Sequence, residues 1–137
     1  MKCLVLLLTF IVFHCEAYQM SRCELVQNLR NHGFPEKKLR DWVCLVEAQS
    51  SSCTHLVSKL NKSGHREYGL FQLSDKYWCS NTGKPGNDCN VTCSDLLSDD
   101  ITKAARCAKL VYKRHGFNAW NGWKNKCQNS LPDISFC

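Results

Sequence analysis

Cysteine constrains this chain more than any other residue: there are 11 among 137 positions. Two of them fall in an N-terminal segment with its own logic. Lys2 precedes an apolar run from Cys3 to Phe13 that is too short to span a bilayer, the pattern of a signal peptide. Cys15-Glu16-Ala17 resembles a cleavage site, so residues 1–17 are read as a leader and 18–137 as the mature domain. Removing Cys3 and Cys15 leaves nine cysteines in about 120 residues, the density of a disulfide framework in an exported protein. Zinc at Cys89 and Cys93 is the lesser alternative, because an oxidising export route favours bridges.

Other classes drop out on composition. No second long apolar run is present, so no membrane span is expected, and a 44% apolar fraction is too high for a disordered chain. The net charge of +6 suits a basic soluble surface. Nothing in the sequence points to a nucleic-acid partner.

Periodicity places the elements. Leu25, Val26 and Leu29 share one helical face in a segment from Cys23 to His32 that stops at Gly33. A second helix starts at Phe34-Pro35-Glu36, and its Leu39, Trp42, Val43 and Val46 fall at i, i+3, i+4 and i+7. Gln49 continues that face, whereas Glu47 lies about 200° away around the helix. Arg66 to Leu73 favours a strand, followed by an irregular loop from Asn81 to Asp88. A third helix is expected from a Ser98 cap, with Asp99 and Asp100 in its first turn, its last turn at Lys113, Arg114 and His115, and a stop at Gly116. The tail after Asn118 suits short helical turns. The expected architecture is one α+β domain with a small sheet to one side of the helices.

Several motifs carry a resemblance: Arg22-Cys23-Glu24-Leu25, Trp42-Val43-Cys44, Tyr68-Gly69-Leu70-Phe71-Gln72, Tyr77-Trp78-Cys79-Ser80, Cys89-Asn90-Val91-Thr92-Cys93 and Asn118-Ala119-Trp120. With them the mature chain resembles the C-type lysozymes, and the insect members most. The resemblance implies a helical lobe, a small antiparallel β lobe and four bridges: Cys23 with Cys137, Cys44 with Cys127, Cys79 with Cys93, and Cys89 with Cys107. Each would add about 2–4 kcal/mol. Cys53 is left over, and is expected to be a free or capped thiol or a link to a second chain; otherwise the protein is expected to be a monomer.

The family implies hydrolysis of β-1,4 bonds of peptidoglycan by a carboxylic acid and a carboxylate across a cleft. By resemblance, the acid belongs five residues after the cysteine of Trp-Val-Cys, where this chain has Gln49. The carboxylate belongs just before Tyr-Gly, where it has Glu67 in place of aspartate. A glutamine amide releases no proton near neutral pH, and losing a general acid costs about 10²–10⁴ in rate. Displacing the second carboxylate by about an ångström costs roughly another 10². Ser74 replaces a third polar residue of the family, an asparagine that bonds the aspartate and the sugar. Gln72, Tyr77, Trp78 and Trp120 match the positions that contact sugar.

Neither catalytic position is therefore expected to work efficiently, and the leading expectation is a secreted protein that binds peptidoglycan or chito-oligosaccharide without cutting it, in antibacterial defence. A weak muramidase relying on Glu67 and a lactalbumin-like interaction protein are the alternatives. The basic charge also suits anionic bacterial envelopes. Asn61-Lys62-Ser63 and Asn90-Val91-Thr92 are glycosylation acceptors in an exported chain. No cofactor is expected, and no metal: His32, His55, His65 and His115 are scattered. Ser98, Lys103 and Ala104 stand where calcium-binding relatives place ligands.

Overall fold

Ser21 opens the first helix by accepting a hydrogen bond from the Glu24 N–H at 3.2 Å, and α1 runs Arg22–Asn31. The computed structural model describes residues 18–137; the expected leader, with Cys3 and Cys15, lies outside the described residues. Gly33, at φ +77°, takes the left-handed conformation after the helix that glycine adopts at little cost. The Pro35-Glu36 start is a single 3-10 turn, Glu36–Lys38, which leads into α2, Leu39–Ser50.

The apolar face of α2 forms the centre of the core. Leu39, Trp42, Val43 and Val46 are all buried. The Trp42 ring meets Phe34 at 4.8 Å, Phe117 at 5.0 Å, Tyr112 at 5.3 Å, Trp120 at 5.5 Å and Phe71 at 6.1 Å between centroids, mostly edge to face. As its helical phase requires, Glu47 points away from this face and pairs with Arg22 at 2.9 Å.

The segment expected as one strand is a hairpin instead. Strands β1 (Glu67–Tyr68) and β2 (Leu73–Ser74) pair antiparallel, Glu67 opposite Ser74 and Tyr68 opposite Leu73. The reversal uses Gly69 at φ +76° and Gln72 at φ +50°. A Cβ on residue 69 would lie 2.0 Å from the Leu96 carbonyl oxygen, so only glycine lets the hairpin lie against the 3-10 turn Ser94–Leu97. The end of α2 is tied to this hairpin by the Ser50 hydroxyl, which donates to the Leu70 carbonyl at 2.7 Å.

The third helix begins later than its Ser98 cap predicts. Helix α3 spans Thr102–His115, with no acidic residue in its first turn. The Asp100 carboxylate accepts from the Thr102 N–H at 3.0 Å, while Ser98 accepts from the Asp100 N–H, so Ser98 to Asp100 form a turn leading into the helix. The basic last turn and Gly116 fall as expected. A 3-10 turn, Gly116–Ala119, and α4, Asn121–Lys126, complete the tail.

All four expected bridges are present: Cys23–Cys137, Cys44–Cys127, Cys79–Cys93 and Cys89–Cys107. They join the two ends of the domain, fasten α2 to α4 and brace the loop after the hairpin against α3, which leaves no thiolate for zinc at Cys89 or Cys93. Cys53 corrects its expectation. It is buried and disulfide-bonded, not a free thiol. An odd number of cysteines among residues 18–137 does not by itself determine which of them is bonded.

Candidate functional site

A cleft of about 310 Å³ lies between the helices and the hairpin, lined by residues of both. Gln49, from the last turn of α2, lines one side with Trp120 and Asn121 at the start of α4. Glu67, Gln72 and Ser74 of the hairpin line the other, joined by Lys76, Tyr77, Trp78 and the loop residues Asn61 and Ser63. Every residue singled out for substrate contact or for the two carboxyl positions thus lines one cavity, although they come from segments up to 71 positions apart in the chain, Gln49 to Trp120.

Their individual states differ. Gln49 Oε1 accepts from the Gly122 N–H at 2.8 Å, and a Cβ on residue 122 would lie 2.4 Å from that oxygen. The amide is therefore held against the backbone of α4, where it can accept and donate hydrogen bonds but supplies no acid. Glu67 is half-buried, its backbone N–H donates to the Ser58 hydroxyl at 2.8 Å, and burial pushes its carboxyl above the ordinary glutamate range.

Trp120 is buried and donates from Nε1 to the Phe71 carbonyl at 2.9 Å, so most of its ring is core and only part of it borders the cleft. Gln72 is also buried, and its Nε2 donates to the Leu56 and Gly69 carbonyls at 3.0 and 2.9 Å. Those bonds make it a brace of the hairpin as much as a wall of the cavity. Ser74 accepts from the Lys76 N–H at 3.0 Å. Tyr77 is 54% exposed, with Trp78 6.4 Å away between centroids, and the Lys76 ammonium lies over its ring at 5.1 Å. Of the aromatic residues singled out from the sequence, Tyr77 is the one that offers a largely free face.

The residue that sequence reasoning missed is Asp75. It lies under the β wall with its side chain 3% exposed, and accepts from His65 Nδ1 at 2.8 Å and from the Arg66 N–H, Tyr68 hydroxyl and Asn81 Nδ2 at 3.2 Å each. Burial pushes its carboxyl up, but the hydrogen bonds from His65, Arg66, Tyr68 and Asn81 outweigh that and hold it below the ordinary aspartate value. No spacing rule links those partners, so no sequence signal could have found them.

The sequence profile of the C-type lysozyme/alpha-lactalbumin family matches residues 18–137, the whole described domain. The chain belongs to that family. Similar relatives include a lysozyme of Galleria mellonella, 68% identical over 118 residues that make up 85% of this chain and 98% of the relative. A lysozyme of Bombyx mori is 57% identical over 136 residues, 99% of this chain and 98% of its own. Lysozyme P of Drosophila melanogaster is 37% identical over 95% of this chain and 93% of its own. Within the C-type lysozyme fold, the cavity between the helical lobe and the hairpin is the candidate active-site cleft. Among the described residues no cluster of histidine, cysteine or carboxylate side chains is arranged to hold a metal ion, and no helix is long and apolar enough to cross a membrane.

Proposed function

We propose that this chain is a secreted C-type lysozyme homologue that binds peptidoglycan or related N-acetylated glycans in its cleft and has lost efficient hydrolysis, with antibacterial defence as its setting. Gln49 carries the reading: the cleft position where the family resemblance calls for a proton-donating carboxylic acid holds an amide, engaged by the Gly122 N–H. Leaving-group protonation needs a donor that ionises near working pH, which an amide does not do. The open Tyr77 face and the polar cavity beside it support retention of binding.

The test is a parallel assay of retention on insoluble peptidoglycan and lysis of a bacterial suspension. The wild type is expected to be retained at moderate salt with little lysis. Gln49→Glu combined with Glu67→Asp is expected to raise lysis by about 10²-fold or more with binding unchanged. Glutamate is close to isosteric with Gln49 and keeps an acceptor for the Gly122 N–H, so the fold should survive. Failure of the wild type to bind, or lysis by it that the double change does not increase, would sink the proposal.

One observation favours a second reading, a weak muramidase. Glu67 remains a half-buried carboxyl with its ionisation pushed up, so it holds a proton to higher pH than an exposed glutamate. Residual lysis by the wild type that disappears in Glu67→Gln would establish that reading.

A further inference from the structure

Asn61 is exposed in the loop that borders the cleft, and it begins the acceptor triplet Asn61-Lys62-Ser63. Its Oδ1 accepts three hydrogen bonds, from the Ser63 N–H at 3.0 Å, the Ser63 hydroxyl at 2.8 Å and the His65 N–H at 3.0 Å. These donors fix the amide by its oxygen and polarise it toward Oδ1, while Nδ2 donates to none of the described residues. The loop is open beyond the triplet: a Cβ on Gly64 would meet nothing within 4 Å.

The other triplet, Asn90-Val91-Thr92, is placed less favourably. Asn90 has φ +51° and lies between Cys89 and Cys93, each held by a bridge, so the segment is closed at both ends once the bridges form. Its Thr92 hydroxyl bonds Ser94 and the Asp95 N–H, not Asn90. Four bridges among the described residues imply passage through an oxidising compartment, where lipid-linked oligosaccharide donors also reside.

We propose that Asn61 is an N-glycosylation site and that its glycan restricts access to the cleft. In the transfer, Asn61 Nδ2 bonds to the anomeric carbon of a lipid-diphosphate-linked oligosaccharide. The bond from that carbon to the diphosphate oxygen breaks, the lipid diphosphate leaves with the electron pair, and Nδ2 gives up one proton to the transferase. The glycan then stands at the edge of a cavity of about 310 Å³ that Asn61 shares with Glu67, Tyr77 and Trp78. Its first sugar is N-acetylated, the class the cleft is proposed to bind, so it competes for the cavity as well as covering it. The restriction rests on the glycan-binding reading; the modification does not.

The experiment uses the full chain secreted from insect cells and maps the peptide containing Asn61 by mass. A glycan mass is expected there, removable by peptide N-glycosidase, absent in Ser63→Ala and retained in Ser63→Thr. An unmodified Asn61 from cells that glycosylate a co-expressed control glycoprotein overturns the site. The secreted protein is then compared on insoluble peptidoglycan with the same sequence refolded from bacteria, which lack the modification. Retention about tenfold weaker for the glycosylated form is expected. Equal retention overturns the restriction and leaves the site standing. No retention of either form overturns the glycan-binding reading and the restriction with it, while the mass result stands on its own.

Discussion

The two walls of the cleft are stabilised by different physics. On the helical side, Gln49 follows a buried apolar face centred on Trp42, whose ring touches five other aromatic rings. On the hairpin side the strands are two residues long, too short for a stable independent sheet, and the wall is held by Asp75 and its hydrogen bonds, by Gln72 and by the Cys79–Cys93 bridge. One wall depends on aromatic packing, whereas the other depends on hydrogen bonds to a buried carboxylate. The cleft therefore has a side built on aromatic packing that presents the Gln49 amide and a side built on hydrogen bonds that presents the Glu67 carboxyl.

The packing half of the comparison gives the largest expected effect. Trp42→Ala should cost about 3–5 kcal/mol of unfolding free energy, because it removes a ring that is 1% exposed at the centre of the aromatic cluster. Denaturant titration followed by far-UV circular dichroism measures it. A loss below about 1 kcal/mol would mean that the cluster does not carry the helical wall.

The sequence was legible where periodicity governs and silent where chain reversal and polar contacts do. The i, i+3, i+4, i+7 pattern from Leu39 located the core face of α2, and its phase separated Gln49 from Glu47, which the structure pairs with Arg22. The same kind of reasoning failed at Arg66 to Leu73, because strand propensity does not register a reversal that depends on Gly69 lying against the Leu96 carbonyl. It placed the start of α3 too early because Ser98 and Asp100 both suit a cap, and Asp100 is the one that bonds the Thr102 N–H. Resemblance supplied the four bridges, which the count of cysteines alone could not assign. Asp75 stayed hidden because its partners come from four positions that meet only in the folded chain.

The polar half predicts an acid weakness confined to the hairpin wall. Asp75 has a folded-state pKa below its ordinary value of about 3.9, so it binds fewer protons folded than unfolded near that pH. Its stabilisation is complete above about pH 3.9 and is lost as pH falls through the depressed value. Asp75→Asn should cost roughly 1–3 kcal/mol at neutral pH, since it weakens charge-assisted bonds in a buried network. The difference from wild type should shrink as the solution is acidified. A gap that stays constant with pH would show that the wall depends on the shape of this side chain and not on its charge.

The smallest effect has the opposite sign. Glu67 has a folded-state pKa above its ordinary value of about 4.3, because burial disfavours its charged form. The folded state then binds more protons than the unfolded one, so ionised Glu67 opposes folding at pH above its folded value, and this opposition fades as pH falls below the unfolded value. Glu67→Gln should therefore stabilise the protein at neutral pH by no more than about 0.5 kcal/mol, with the gain vanishing in acid. Paired denaturation curves of wild type and variant across that range measure it. Asp75→Asn and Glu67→Gln then move stability in opposite directions within one wall, and their different pH courses separate a carboxylate that holds the cleft together from one that the cleft keeps at a cost. If Glu67→Gln were instead destabilising at neutral pH, Glu67 would be part of the wall's polar support, and its place in the cleft would need no functional explanation.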